Sequence, residues 1–196
     1  MSMIEVEIDD KKIHEYASGI TAGDILQNVY GKKSGAIAAK INGEQKDMSF
    51  VVNENCKIEP ILGDSEEGLY ILRHSCAHLL AQAVVEIFPG AKPTIGPPIE
   101  HGFYYDFHMN PIGDSDLKII EKRMNQLVRE NIKIKREEFE NNELREMFQN
   151  NKFKIEILDE KIGDEVGSTA YRQGDFIDLC RGPHVPSTSH LRWFKL

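Results

Sequence analysis

Two pairs of residues in this sequence carry side chains that could hold a metal ion. His74 and His78 stand four positions apart in a segment typical of a helix, so both imidazoles project from one face about a turn apart. Cys180 and His184 are also four positions apart, but the intervening Gly182-Pro183 prevents a helix and places them on a strand end and the turn after it. Three imidazoles and one thiol form a donor set suited to tetrahedral zinc.

The same residues permit other interpretations. HxxxH alone is a weak signal, and the metalloprotease helix requires Glu after the first histidine, whereas Ser75 follows His74. A cysteine whose pKa is lowered by a nearby histidine could instead act as a nucleophile, so the sequence leaves zinc and thiol chemistry open. Asp178 shares a strand face with Cys180 and would bring a carboxylate to the cluster; the alternative is a surface carboxylate.

Composition excludes several classes of protein. The chain has 196 residues, 40% of them hydrophobic and 29% charged, which is enough for a folded core in one or two domains. No apolar run approaches the ~20 residues of a membrane helix, and the first residues lack the regions of a signal peptide. Three cysteines argue against a disulfide scaffold and favour the cytoplasm. The net charge of −8 excludes a broadly basic RNA coat, so any RNA must bind at local patches.

Residues 1–62 predict a small β-rich region with one helix. Alternating apolar and acidic side chains over residues 3–9 are typical of a half-buried strand. Thr21 and Asp24 predict the start of the helix. Further strands are predicted over residues 13–16, 36–41, 50–52 and 57–61, with turns at 9–12, 31–34 and Asn42-Gly43.

Residues 63–196 predict an α+β region in which a long helix packs on an antiparallel sheet. The helix covers about residues 66–88, and its main apolar stripe lies opposite the two histidines. Ile71 and Ala81 share the histidine face, so we expect neighbours to cover both sides of the helix. The other predicted elements are strands over 103–107, 132–135 and 153–157, helices over 115–131 and 140–149, and a hairpin around 173–175.

The motifs of this second region resemble the editing domain of threonyl-tRNA synthetases. The matching segments are Leu72–Ala81, Ile95-Gly96-Pro97, Gly102–Asp106 and Asp178–Pro186. HxxxH with CxxxH is shared with alanyl-type editing domains, whereas the CRGPH and GFYYD forms favour the threonyl branch. Residues 1–62 resemble TGS, the small β-grasp domain that precedes the editing (second additional) domain in that family. The resemblance therefore covers the whole chain.

The resemblance implies a deacylase that hydrolyses the seryl ester of mischarged Ser-tRNA(Thr). The catalytic residues that it implies are His74, His78, Cys180, His184, Asp178 and Lys154, the first four of them also as zinc ligands. The residues expected to contact the substrate or the tRNA are Arg73, Tyr104, Tyr105 and Arg181. Arg172 is a further basic candidate near the same pocket.

The resemblance also sets the expected partners and the alternatives. We expect the acceptor end of tRNA(Thr) as partner, with the catalytic and anticodon-binding domains that follow in the family. Nothing before Leu196 resembles a class II ATP-binding core, so we expect neither ATP binding nor aminoacylation by this chain. The alternatives are an alanyl-type or free-standing deacylase, and an RNA-binding module with a structural zinc site that unfolds when the metal is removed.

Overall fold

The structure is a computed structural model that describes residues 2–8, 12–31, 34–161 and 168–196. Within these ranges, helices combine with mainly antiparallel sheets, which confirms the predicted α+β class. The predicted turns at 9–12 and 31–34 fall mostly outside the described residues. No helix in the described part of the chain is long and apolar enough to cross a bilayer.

The chain forms two compact units. The first unit comprises Met1–Leu72 and Gly182–Pro186, and the second comprises Arg73–Arg181 and Ser187–Leu196. The strands of the first unit are Met3–Ile8 (β1), Lys12–Ala17 (β2), Ile20–Thr21 (β3), Ala36–Ile41 (β4), Glu44–Lys46 (β5), Val51–Val52 (β6) and Cys56–Leu62 (β7).

A five-stranded sheet in the order β2-β1-β7-β4-β5 carries the first unit. Strands β1 and β7 are parallel, and the other neighbours are antiparallel. Helix α1 (Ala22–Tyr30) begins as predicted, because the Asp24 N–H donates to the Thr21 hydroxyl at 3.1 Å. Asn42 and Gly43 have φ values of 51° and 88°, as a tight hairpin turn between β4 and β5 requires.

The long helix α2 (Glu66–Ile87) begins in the first unit and continues in the second. Ser65 caps it by accepting a hydrogen bond of 3.0 Å from the Gly68 N–H. Residues 75–79 and 81–84 are all buried, whichever side of the helix they occupy. This burial confirms that neighbours cover both faces.

The second unit adds a three-stranded antiparallel sheet and four further helical segments. Its elements after α2 are Lys92–Pro93 (β8), Pro98–Ile99 (β9), Gly102–Phe103 (β10), Phe107–His108 (β11), Asp114–Glu130 (α3), Ile134–Phe139 (β12), Asn141–Phe148 (α4), Lys152–Lys161 (α5), Ser168–Gln173 (β13), Phe176–Leu179 (β14) and a 3-10 turn over Thr188–His190. The sheet order is β12-β13-β14.

Both faces of this sheet are covered by helices. Ala77 and Ala81 of α2 pack with Tyr105 and Phe176. Helices α4 and α5 pack through a separate cluster that includes Ala170 of β13 and Ile177 and Leu179 of β14. Since residues alternate between faces along a strand, Phe176 and Ile177 place these two clusters on opposite sides. The prediction of a long helix on an antiparallel sheet is confirmed.

The predicted strand over 153–157 is wrong, because these residues belong to α5. Alternation of apolar and charged side chains predicts a strand here, whereas Lys154 and Leu158, four positions apart, are both buried on one face of the helix. The Asn151 side chain accepts a hydrogen bond of 3.2 Å from the Phe153 N–H at the start of this helix. Periodicity predicts the wrong element here because it does not include the tertiary contacts that bury the charged Lys154 side chain.

The predicted continuous strand over 103–107 is also wrong. Only its ends are strands, and they pair with different partners, β10 with β9 and β11 with β8. The opposing segment contains Pro93, Pro97 and Pro98, which lack the N–H groups of a regular ladder. The intervening residues are free to turn Tyr105 inward, where it is 8% exposed.

Candidate functional site

Helix α2 and the end of β14 bring His74, His78 and Cys180 together. One ligand atom from each residue lies within 4.8 Å of the others. Cys180 Sγ is 3.3 Å from His74 Nε2, and the two imidazole rings meet edge to face with centroids 5.3 Å apart. His74 and Cys180 are half-buried and His78 is buried. These three residues of the predicted set form a His/Cys cluster that could bind a metal.

His184, the fourth residue of the predicted set, lies in the short segment Gly182–Pro186 of the first unit. It is buried, and its backbone N–H donates to Asp47 Oδ1 at 2.9 Å. The four-residue separation limits its Cα to about 14 Å from that of Cys180. Its function as a ligand stays a prediction.

A buried group of three polar side chains stands behind His78. Asp178 of β14 forms an ion pair with Lys154 of α5, whose Nζ lies 2.5 Å from Asp178 Oδ1. Lys154 also donates to the Tyr105 hydroxyl at 3.0 Å, and that hydroxyl donates a short hydrogen bond to Asp178 Oδ2. Each of the three residues is less than a tenth exposed. Asp178 is therefore a buried carboxylate, and the alternative of a surface carboxylate is wrong.

Burial and charge together set the protonation of this group. Burial would raise the pKa of Asp178, but Lys154 and His78 outweigh it and hold that pKa below its usual range. Burial lowers the pKa of His78 to about 3, although Asp178, 3.8 Å from its Nε2, opposes the shift. Burial and the charge of Asp178 raise the pKa of Tyr105 well above its ordinary value. At neutral pH, His78 is therefore uncharged, the form that metal binding requires.

Two further contacts of α2 were not predicted from the sequence. The ring of Phe176 meets that of His78 at a centroid distance of 6.3 Å. One turn along, the buried side chain of Gln173 donates to Gln82 at 2.5 Å. Gln82 stands four positions after His78, so the i, i+4 row of polar residues on an otherwise apolar helix was a usable signal.

The predicted substrate contacts have different surroundings. Tyr105 faces the buried ion pair, whereas Tyr104 is 40% exposed. Arg73 is half-buried and Arg181 is exposed. The guanidinium of Arg172 donates twice to Glu137, at 2.8 and 3.0 Å, so a phosphate would have to compete with that carboxylate.

Gly96 fixes the position of Tyr105, and its replacement provides a test. A methyl group on Gly96 would lie 2.2 Å from the Tyr105 ring. Because Lys154 and Asp178 hold that ring, we expect Gly96→Ala to destabilise the protein by about 1–3 kcal/mol. Urea unfolding measures the effect. Gly102→Ala is the control, since a methyl group there meets nothing within 4 Å. Equal stability of the two variants would contradict the rigid placement of Tyr105.

Comparison with known proteins relates this chain to one class of enzyme. Residues 169–196 match the family described as the threonyl and alanyl tRNA synthetase second additional domain. Threonine–tRNA ligase of Rubrobacter xylanophilus is 44% identical over 196 residues, covering 99% of this chain and 30% of the ligase. The ligase of Streptococcus thermophilus is 43% identical over 199 residues, with the same two coverages. That of Thermoplasma volcanium is 48% identical over 160 residues, covering 82% of this chain and 24% of the ligase.

The extent of these matches is itself informative. Relatives named threonine–tRNA ligase align along 99% of this chain, so the similarity includes both compact units. The chain spans about 30% of the length of the first two relatives. The similarity therefore concerns one part of those enzymes.

Proposed function

We propose that this chain is an aminoacyl-tRNA editing module that hydrolyses the seryl ester of mischarged Ser-tRNA(Thr). The observation that carries the proposal is the cluster of His74, His78 and Cys180 backed by the buried Lys154–Asp178 pair. Similarity to the ligase region that holds the second additional domain supports an editing function.

The need for such an activity follows from the chemistry of the two amino acids. Serine lacks one methyl group of threonine, and a synthetic site gains only about 1–3 kcal/mol from that methyl. Mischarging with serine follows, and a second site must remove it. That site has only to reject the larger side chain, which a rigid wall can do.

The proposed reaction is hydrolysis of the ester between serine and the terminal ribose. Water attacks the ester carbonyl carbon, the bond from that carbon to the ribose oxygen breaks, and the ribose oxygen takes up a proton. In the metal-free site, we assign His74 to hold the attacking water and accept its proton, because its ring is half-buried and is held by Cys180, whose Sγ lies 3.3 Å from Nε2. His78, Asp178 and Lys154 are less accessible and position the site.

The donor set also fits a zinc ion. Nitrogen and sulfur ligands at ~2.1 and ~2.3 Å from zinc lie about 3.5 Å apart in a tetrahedron, close to the 3.3 Å between His74 Nε2 and Cys180 Sγ. We propose His184 as the fourth ligand beside His74, His78 and Cys180. A bound zinc ion would supply Lewis-acid polarisation at this site.

Metal titration tests the zinc proposal. We expect the purified chain to bind about one equivalent of Zn²⁺ or Co²⁺, with a thiolate–Co²⁺ absorption band that Cys180→Ala removes and Cys56→Ala keeps. Cys56 is a free thiol in the first unit and serves as the matched control. Absence of any metal uptake would leave the cluster as a metal-free thiol–imidazole site. Unfolding on chelation, together with loss of function, would instead favour a structural zinc site.

We further propose residues 1–62 as a TGS-like domain and residues 63–196 as the editing domain. The mixed sheet with its parallel β1–β7 pair and helix α1 supports a β-grasp arrangement. The proposed partners are the acceptor end of tRNA(Thr) and the catalytic and anticodon-binding domains. The greater length of the relatives supports the latter. The proposed location is the cytoplasm.

A deacylation assay tests the proposed function directly. We expect Ser-tRNA(Thr) to be hydrolysed about 10- to 100-fold faster than Thr-tRNA(Thr), because one methyl group is the only difference. Ser-tRNA(Ala) distinguishes the alternatives, since an alanyl-type deacylase would prefer it. Equal rates on the seryl and threonyl esters would contradict the proposed rejection of the methyl group.

A further inference from the structure

A groove of about 520 Å³ lies in the second unit beside the candidate site. The C-terminal half of α2, the junction of α4 and α5, and the turn between β13 and β14 surround it. Its walls are mainly apolar and consist of Val85, Pro93, Met147, Phe148, Phe176 and Ile177. The volume and the two aromatic walls suit a flat group of the size of a nucleobase.

The rim of the groove carries three polar side chains, and the charge of one of them, Asp175, contributes to the raised pKa of Arg172 after Glu137. Among the described residues, the side chains of Lys92, Asn150 and Asp175 make no hydrogen bond and no ion pair. Glu86, also at the rim, differs: it accepts from Arg123 at 2.5 Å and from Gln82 at 2.8 Å. The rim therefore offers one cation, one amide and one carboxylate.

One residue, Phe176, belongs both to the groove and to the surroundings of His78. Phe176 lines the groove and also contacts His78, with the two ring centroids 6.3 Å apart. Gln82 and Glu86 continue the row of His78 along α2, about 6 and 12 Å further along the axis. Measured from His74, the residue assigned to the attacking water, Gln82 and Glu86 lie about 12 and 18 Å along the α2 axis, so a nucleotide chain that follows the helix from His74 would meet the groove.

We propose that this groove binds the unpaired nucleotide that precedes the esterified terminal adenosine, which in a CCA end is a cytidine. The inference rests on the proposed function and adds a second contact region to it. The Asp175 carboxylate would accept from the cytosine N4 amine, the pairing that carboxylates make with this base. Lys92 would contact a phosphate, and the apolar walls with Phe176 would support the base by stacking.

Two substrates and one matched control test this assignment. Hydrolysis of Ser-tRNA(Thr) is compared with that of 3′-O-seryl-adenosine, which has no preceding nucleotide. The double variant Lys92→Ala/Asp175→Ala removes one charge of each sign. Its control is Lys135→Ala/Glu160→Ala, which removes the same charges from exposed positions outside the groove. Neither pair belongs to the proposed catalytic group.

We expect the groove variant to lower kcat/KM for Ser-tRNA(Thr) about tenfold and to leave that for seryl-adenosine unchanged, since loss of one base contact costs about a factor of ten. The control variant should match the wild type on both substrates. Unchanged hydrolysis of Ser-tRNA(Thr), or an equal loss on both substrates, would overturn the assignment.

A binding measurement separates this inference from the proposed function. Fluorescence anisotropy with a short uncharged RNA ending in CCA needs no hydrolysis. We expect about tenfold weaker binding when the penultimate cytidine is replaced by uridine, whose O4 cannot donate to Asp175, and no such difference in Asp175→Ala. Binding without base preference overturns the inference. A chain that shows the preference but no hydrolysis keeps the groove assignment and defeats the proposed function.

Discussion

Lys154→Met is expected to destabilise the protein by about 3–5 kcal/mol, because it leaves the buried carboxylate of Asp178 without its counter-ion. Lys154 is 2% exposed and Asp178 is 1% exposed, so water cannot replace the lost ammonium group without opening the structure. The Tyr105 hydroxyl would remain as a donor to Asp178, but a neutral donor compensates only part of a buried charge. Urea unfolding of the variant and the wild type measures the difference.

Two further variants decide whether the ion pair is the cause. Lys152→Met lies on the same helix, is exposed, and should change stability by less than about 0.5 kcal/mol. The double variant Asp178→Asn/Lys154→Met should lose about 2 kcal/mol less free energy of unfolding than the two single variants lose in sum. The reason is that neither charge is then buried alone. Strict additivity would show that Lys154 contributes packing only.

The sequence predicted the elements that carry the His/Cys cluster better than the element that carries Lys154. His74 and His78 were placed correctly because α2 is long and its spacing is regular over residues 66–87. Cys180 was placed correctly because the hairpin turn and Gly182-Pro183 limit the chain locally. In each case, the spacing of residues close together in the chain was enough to predict the element.

Lys154 shows where local spacing fails. Apolar and charged side chains alternate over residues 153–157 and predict a strand, whereas the segment is a helix whose buried Lys154 pairs with Asp178 on β14. The pairing of a charge with a distant strand depends on tertiary structure, which single-sequence periodicity does not contain. The same limit applies to Tyr105, whose neighbours in the chain pair with two different strands.

His74→Ala is expected to lower the rate of Ser-tRNA(Thr) deacylation about 100-fold or more while the protein stays folded. Loss of a positioned general base commonly costs a factor of 10²–10⁴, and the half-buried ring of His74 makes a smaller contribution to the core than the buried ring of His78. Single-turnover hydrolysis gives the rate, and urea unfolding verifies the fold. His101→Ala is the control, because its side chain is 86% exposed and its ion pair is with the adjacent Glu100.

Comparing the deacylation rates of His74→Ala and Cys180→Ala distinguishes the possible roles of the Cys180 thiol. If Cys180 is a nucleophile or a ligand, its loss should reduce the rate as severely as that of His74. If its Sγ only orients His74 Nε2 at 3.3 Å, Cys180→Ser should restore much of the rate, because a hydroxyl can take over the hydrogen bond. Zinc content measured on the same preparations distinguishes ligand from nucleophile, since only loss of a ligand lowers both metal and rate. A His74→Ala protein that deacylates at the wild-type rate would remove this histidine from the mechanism.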